Sequence, residues 1–105
     1  MKPVDLKSHI QFSPAKPNRK DLLKSSKLNI KLHCLDEGQT LESSSCNETV
    51  IWVCVGGNGF FTNNSREVPV GYGTMLVCEY SSSCSAQGTE RMVILEISIR
   101  GLLSF

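Results

Sequence analysis

Lys27-Leu28-Asn29-Ile30-Lys31-Leu32-His33-Cys34 alternates polar and apolar side chains without a break. A period of two places Leu28, Ile30, Leu32 and Cys34 on one face of an extended strand and Lys27, Asn29, Lys31 and His33 on the other. The stretch therefore reads as a half-buried β-strand, its apolar face toward a core and His33 toward water. Three further stretches read as strands. Residues 49–55 are apolar on both faces, as in a central or covered strand. Residues 75–80 place Leu76, Cys78 and Tyr80 on one side. Residues 91–100 are the longest, with Val93, Leu95, Ile97 and Ile99 on one face and Glu96, Ser98 and Arg100 marking the other.

The links between these stretches carry turn chemistry. Asp36-Glu37-Gly38 ends the first strand, Gly56-Gly57-Asn58-Gly59 follows the second, and residues 68–73 lead into the third. No segment has a helical period. Strands joined by short polar links give an all-β protein, expected here as a small, disulfide-linked immunoglobulin-like β-sandwich over residues 27–105. Residues 1–26 differ. Pro3, Pro14 and Pro17 break regular structure, so this segment is expected to be a basic, largely unstructured arm.

Charge follows the same division. Residues 1–27 hold seven basic groups against Asp5 and Asp21, a balance of +5, and the remainder carries −4, for a net charge of +1. That near-neutral total gives no global signal for nucleic acid or membranes. The basic stretch Lys16-Pro17-Asn18-Arg19-Lys20 with Lys24 and Lys27 has no interleaved aromatics, so base stacking is not expected and nucleic acid is not the expected partner. The longest apolar run, residues 50–55, is far shorter than the roughly 20 residues that span a bilayer.

Five cysteines occupy positions 34, 46, 54, 78 and 84. Cys34, Trp52 and Cys78 fall on successive strands in the order of the cysteine, core tryptophan and second cysteine of an immunoglobulin domain. A Cys34–Cys78 bridge would contribute about 4 kcal/mol by closing a long loop. Cys46 and Cys84 would then lie at one end of the sandwich, in position to bridge each other, with Cys54 left as a buried or interfacial thiol. Position 76, where a tyrosine corner belongs, is Leu. An odd thiol also provides for a covalent homodimer.

So many cysteines in a short chain point to an oxidising compartment, either secreted or the lumen of the endoplasmic reticulum, although no apolar signal core follows Met1-Lys2. The sequons Asn47-Glu48-Thr49 and Asn63-Asn64-Ser65 point the same way, making Asn47 and Asn63 glycosylation candidates.

Catalytic chemistry finds little support. The cysteines are 12, 8, 24 and 6 residues apart with no Cys-x-x-Cys pair, so no zinc site is expected. A thiol nucleophile needs a base, and His33 points to the face opposite its neighbour Cys34. No catalytic residue, metal or cofactor is expected, and the chain reads as a non-enzymatic binding protein.

Four blocks carry a resemblance. Residues 31–38 (KLHCLDEG), 47–50 (NETV), 73–78 (GTMLVC) and 91–97 (RMVILEI) resemble, in the same order, coronavirus accessory proteins of immunoglobulin-like fold, the group encoded by open reading frame eight. The resemblance spans roughly residues 28–99. It implies a secreted or lumenal protein that interferes with host immune proteins. It also implies pairing of Cys34 with Cys54, and of Cys78 with Cys46 or Cys84. The working surface would be the loop end (residues 43–47 with 81–88) or the face of Ile51, Val53 and Val55. Other readings are an extracellular immunoglobulin-like fragment of a cellular receptor, or a cytosolic, basic-armed protein that contacts nucleic acid.

Overall fold

A computed structural model describes residues 2–44, 48–79 and 82–100 of the chain. Among the described residues, seven strands follow a single 3-10 turn at Leu6–His9: β1 (Asn18–Lys24), β2 (Leu28–Leu35), β3 (Thr40–Ser44), β4 (Glu48–Asn63), β5 (Arg66–Val70), β6 (Met75–Cys78) and β7 (Ser83–Arg100). No helix among the described residues is long and apolar enough to cross a membrane.

The two longest strands form the spine. β4 and β7 pair antiparallel from Glu48↔Arg100 to Asn63↔Cys84. Each then takes different neighbours along its two halves. The second half of β7 pairs with β2, which pairs with β1, and its first half pairs with β3. The first half of β4 pairs with β6, and its second half with β5. The result is two layers, β1-β2-β7-β4-β6 and β3-β7-β4-β5, sharing both long strands. The inner faces of these layers meet in one core. Trp52, Cys54 and Ile94 come from the first layer, Phe61 and Ala86 from the second, and Leu41 of β3 packs against them.

The spine bends where the glycines lie. Residues 56–59, expected as a turn, instead carry β4 onward. The register shifts between Cys54 and Gly56 and again between Gly57 and Gly59, and these irregularities turn the strand from one layer into the other. The true hairpin turn lies at Asn64-Ser65, both at positive φ (50° and 69°), so the second sequon supplies the two-residue link from β4 to β5.

The opposite face of the first layer is also apolar. Leu32, Cys34 and Val93 are buried there, beneath Phe12 and Leu22 and beside Val55 and Leu95. The basic N-terminal segment is therefore no loose arm. Its residues 18–24 add β1 to the edge of the sheet, and Phe12 and Leu22 cover this face. Two contacts tie the segment down: the Gln39 side chain donates to the Ser13 carbonyl at 2.6 Å, and the Arg91 guanidinium lies 4.9 Å from the Phe12 ring centre.

The immunoglobulin-like arrangement is corrected by this topology. Cys34 lies on the outer face of β2 and Cys78 on the inner face of β6, so no bridge joins them. Cys34 and Cys54 do not pair either, because β7 runs between β2 and β4. Two strand spacings separate them by about 10 Å, beyond the reach of a disulfide. The structure bonds Cys78 to Cys84, leaves Cys34 and Cys54 as buried free thiols, and Cys46 lies outside the described residues.

The Cys78–Cys84 bridge closes a short loop with a sequence separation of 6, which the chain-entropy relation values at about 2 kcal/mol. Cys78→Ser with Cys84→Ser is therefore expected to fold, with its unfolding free energy in urea lowered by that amount. A double variant that does not fold at all would show that the bridge is needed for more than loop closure.

Candidate functional site

Glu96 sits on the inner face of the central strand β7, and the register decides its company. Lys31 of β2 lies directly opposite on one side and Trp52 of β4 directly opposite on the other. His33, two residues further along β2, approaches diagonally. The Trp52 indole Nε1 donates to Glu96 Oε1 at 2.9 Å, and His33 Nε2 lies 3.2 Å from the same oxygen. Ser98 Oγ donates to Oε2 at 3.3 Å, and Lys31 Nζ stands 3.9 Å from it. Both carboxylate oxygens are thus engaged.

These groups are deep: Glu96 is 8% exposed and His33 5%. Burial pushes the Glu96 carboxyl pKa upward. Hydrogen bonds from His33 and Trp52, with Coulombic attraction to His33 and Lys31, outweigh it and hold the group at about 2. Glu96 is therefore a fixed anion at neutral pH. It serves as an anchor for His33 and Trp52, whose ring also packs 5.8 Å from Phe61.

An open cavity of about 630 Å³ lies beside this network. Its walls are the N-terminal segment with Ser13, Lys16, Asn18 and Arg19, the ring of His33, and Leu41 of β3. A smaller cavity of about 170 Å³ continues along the inner face of β1 and β2, where Arg19 is joined by Asp21, Lys24, Asn29 and Lys31. Pro17 and the Gln39–Ser13 bond hold the segment that forms the rim.

Of the sequence-predicted residues, Trp52 joins this network and the others lie elsewhere. Trp52 is fully buried in the core cluster that also holds Cys78 and Cys84, with its ring 5.8 Å from Phe61 and its indole N–H on Glu96. Asn63 is half-buried at the end of β4, and Asn47 lies outside the described residues. Burial raises the pKa of both free thiols, Cys34 and Cys54, above the ordinary cysteine value, which leaves them protonated and poor nucleophiles at neutral pH. Among the described residues no group of three or more His, Cys, Asp or Glu could hold a metal ion. Ile51, Val53 and Val55 lie half-buried on the face of β4 opposite Trp52 and Cys54.

Sequence reasoning missed His33, expected in water, and Glu96 with Ser98, expected on the solvent side of the last strand. The alternation that marks them as one face was visible. Which face turns inward was not.

The geometry has many counterparts among solved structures. A Thermus thermophilus protein superposes with a TM-score of 0.88 at 14% identity, covering 96% of this chain and 99% of its own. An RmlC-like cupin protein from Desulfovibrio desulfuricans gives 0.86 at 20% identity, covering 94% of this chain and 96% of its own. A Klebsiella pneumoniae protein with a double-stranded β-helix domain gives 0.86 at 13% identity, covering 96% and 91%. No family model and no curated protein matches the sequence. At these identities the likeness shows the fold alone: a cupin-type double-stranded β-helix.

That finding overturns the resemblance to coronavirus accessory proteins, which rested on an immunoglobulin-like fold. The reading as a secreted viral glycoprotein that interferes with host immunity falls with it.

Proposed function

We propose that this chain is a small-ligand-binding protein of cupin-type fold, and that the cavity over the His33–Glu96–Trp52 network is its binding site. One observation carries the reading. An ionised carboxylate, a histidine and a serine are built into the inner face of an otherwise apolar core, directly beside an open cavity of about 630 Å³. Burying such groups is unfavourable unless they are fully paired, and apolar residues of similar volume would stabilise a purely structural core at least as well. A pocket of this size with a few fixed polar groups is the usual form of a small-molecule site.

Binding fits the residues better than turnover. Glu96 is held ionised with both oxygens occupied, so it is a poor proton donor near neutrality. The free thiols are buried, with raised pKa values.

The test is a thermal-shift and Trp52-fluorescence screen against small carboxylates, phosphates, sugars and alcohols. Trp52 is the only tryptophan in the chain and reports directly on the network. At least one class is expected to raise the melting temperature and alter the fluorescence saturably. Leu41→Trp, which narrows the cavity from β3, is expected to abolish the melting-temperature response. Hits that bind Leu41→Trp undiminished, or no hit in any class, would overturn the proposal.

A further inference from the structure

We infer that the ligand of this cavity is a small organic anion, held through a carboxylate or phosphate group by Lys16 and Arg19 above His33; the inference rests on the binding site proposed above. Among the described residues that line the larger cavity, Lys16 and Arg19 are full cations and none is acidic. The adjoining cavity adds Lys24 and Lys31 against a single acid, Asp21, so positive charge runs along the whole inner edge of β1 and β2.

The acids nearby cancel only part of this field: Glu96 and Asp21 stand against Lys16, Arg19, Lys24 and Lys31, which leaves an excess of two positive charges. Glu96 spends both oxygens on His33, Trp52, Ser98 and Lys31 within the core. Asp21 lies 3.7 Å from Arg19, but both side chains are about half exposed (45% and 59%), and such a pair is weak and readily gives way to a better-placed anion. A concave site lined by one sign of charge over a low-dielectric wall concentrates ions of the other sign.

The position of these cations is built in. The excess of +5 in residues 1–27 suggests a solvated tail. In the fold, β1 pairs with β2, Gln39 grips the Ser13 carbonyl and Phe12 lies beneath Arg91, so the same charges form a rim held in place. Cations on an anchored backbone lose less freedom on binding than cations on a free tail. The cavity volume exceeds what a bare inorganic ion fills, which points to an anion with an organic body, in contact with Leu41.

Isothermal titration with citrate, glucose 6-phosphate, inorganic phosphate and glucose tests this, on the wild-type chain, a Lys16→Gln/Arg19→Gln variant and a Lys2→Gln/Lys7→Gln variant. Citrate or glucose 6-phosphate is expected to bind saturably and more tightly than inorganic phosphate or glucose. Affinity should fall at least about tenfold in the rim variant, remain unchanged in the Lys2/Lys7 variant, and weaken with added salt.

Glucose binding as tightly as glucose 6-phosphate, and lost in Leu41→Trp, would overturn the charge assignment while leaving the cavity as a binding site. Absence of binding by every anion would overturn it also, and the wider screen then decides the cavity independently. Binding of heparin or single-stranded DNA that survives Leu41→Trp, without saturable binding of a small anion, would make the basic edge a polyanion surface and end the proposal.

Discussion

Gly57→Ala is expected to yield no stably folded protein. Gly57 has a φ of +76° and faces Met92 across the central β4–β7 pair. A Cβ placed there would run into the carbonyl oxygen of Arg91, and would also lie 2.6 Å from the Arg91 carbonyl carbon and 2.8 Å from the Met92 Cα. All three are backbone atoms of β7, so no side-chain rotation relieves the clash. The two strands would have to part where β4 passes from one layer to the other.

The left-handed backbone alone costs a non-glycine residue about 1–2 kcal/mol. Parting the spine adds to that, and a total above about 3 kcal/mol removes much of the stability of a small domain. Gly73→Ala is the control, because Gly73 has a φ of +89° but nothing within 4 Å of the added carbon. It should lose only about 1 kcal/mol. Urea unfolding followed by Trp52 fluorescence measures both. If Gly57→Ala unfolds within about 1 kcal/mol of the wild type, the close approach of β4 and β7 is wrong.

Glu96→Ala has the second largest expected effect, about 3 kcal/mol at pH 7, because it leaves His33, Trp52 and Ser98 buried without their shared acceptor. Glu96→Leu separates the loss of partners from the loss of volume and should be no better, since the same donors remain unpaired.

The acid side of the stability profile gives an independent check. The Glu96 pKa is depressed in the fold, from an ordinary 4.5 to about 2. Its contribution is therefore complete above about pH 4.5, declines as pH falls, and is gone once pH passes below about 2. The total is about 3 kcal/mol. Glu96→Gln should flatten the wild-type profile between these limits. A variant that keeps the wild-type slope there would show that Glu96 is not the titrating group.

Particular residues show how much was legible. The strict alternation of residues 27–34 marked β2, and that of residues 91–100 marked the second half of β7, because a period of two is a local property of the backbone. Asn64-Ser65 reads as part of a sequon in a loop, and the structure makes it the two-residue turn between β4 and β5. Gly56-Gly57-Asn58-Gly59 shows the converse. Glycine-rich sequence is compatible both with a reversal of the chain and with a strand that bends under a close neighbour, and only the presence of β7 selects the second.

The basic segment was misjudged for a similar reason. Its prolines end before residue 18, and the backbone partner of residues 18–24 is β2, a strand whose need for an edge neighbour is not written in either stretch alone.

By itself, the sequence determined that this is an all-β chain, where two of its strongest strands run, and that its positive charge is concentrated at the beginning. These follow from side-chain periodicity and composition, which act over a few residues. The tertiary structure alone decided which face of each strand turns inward. It placed Leu32 and Val93 under Phe12 and Leu22, turned His33, Glu96 and Ser98 into the core, and carried Lys16 and Arg19 to the rim of the cavity. The physical reason is register. A strand with usable side chains on both faces can be buried either way, and the choice rests on which distant strands pair with it and on what covers its other side.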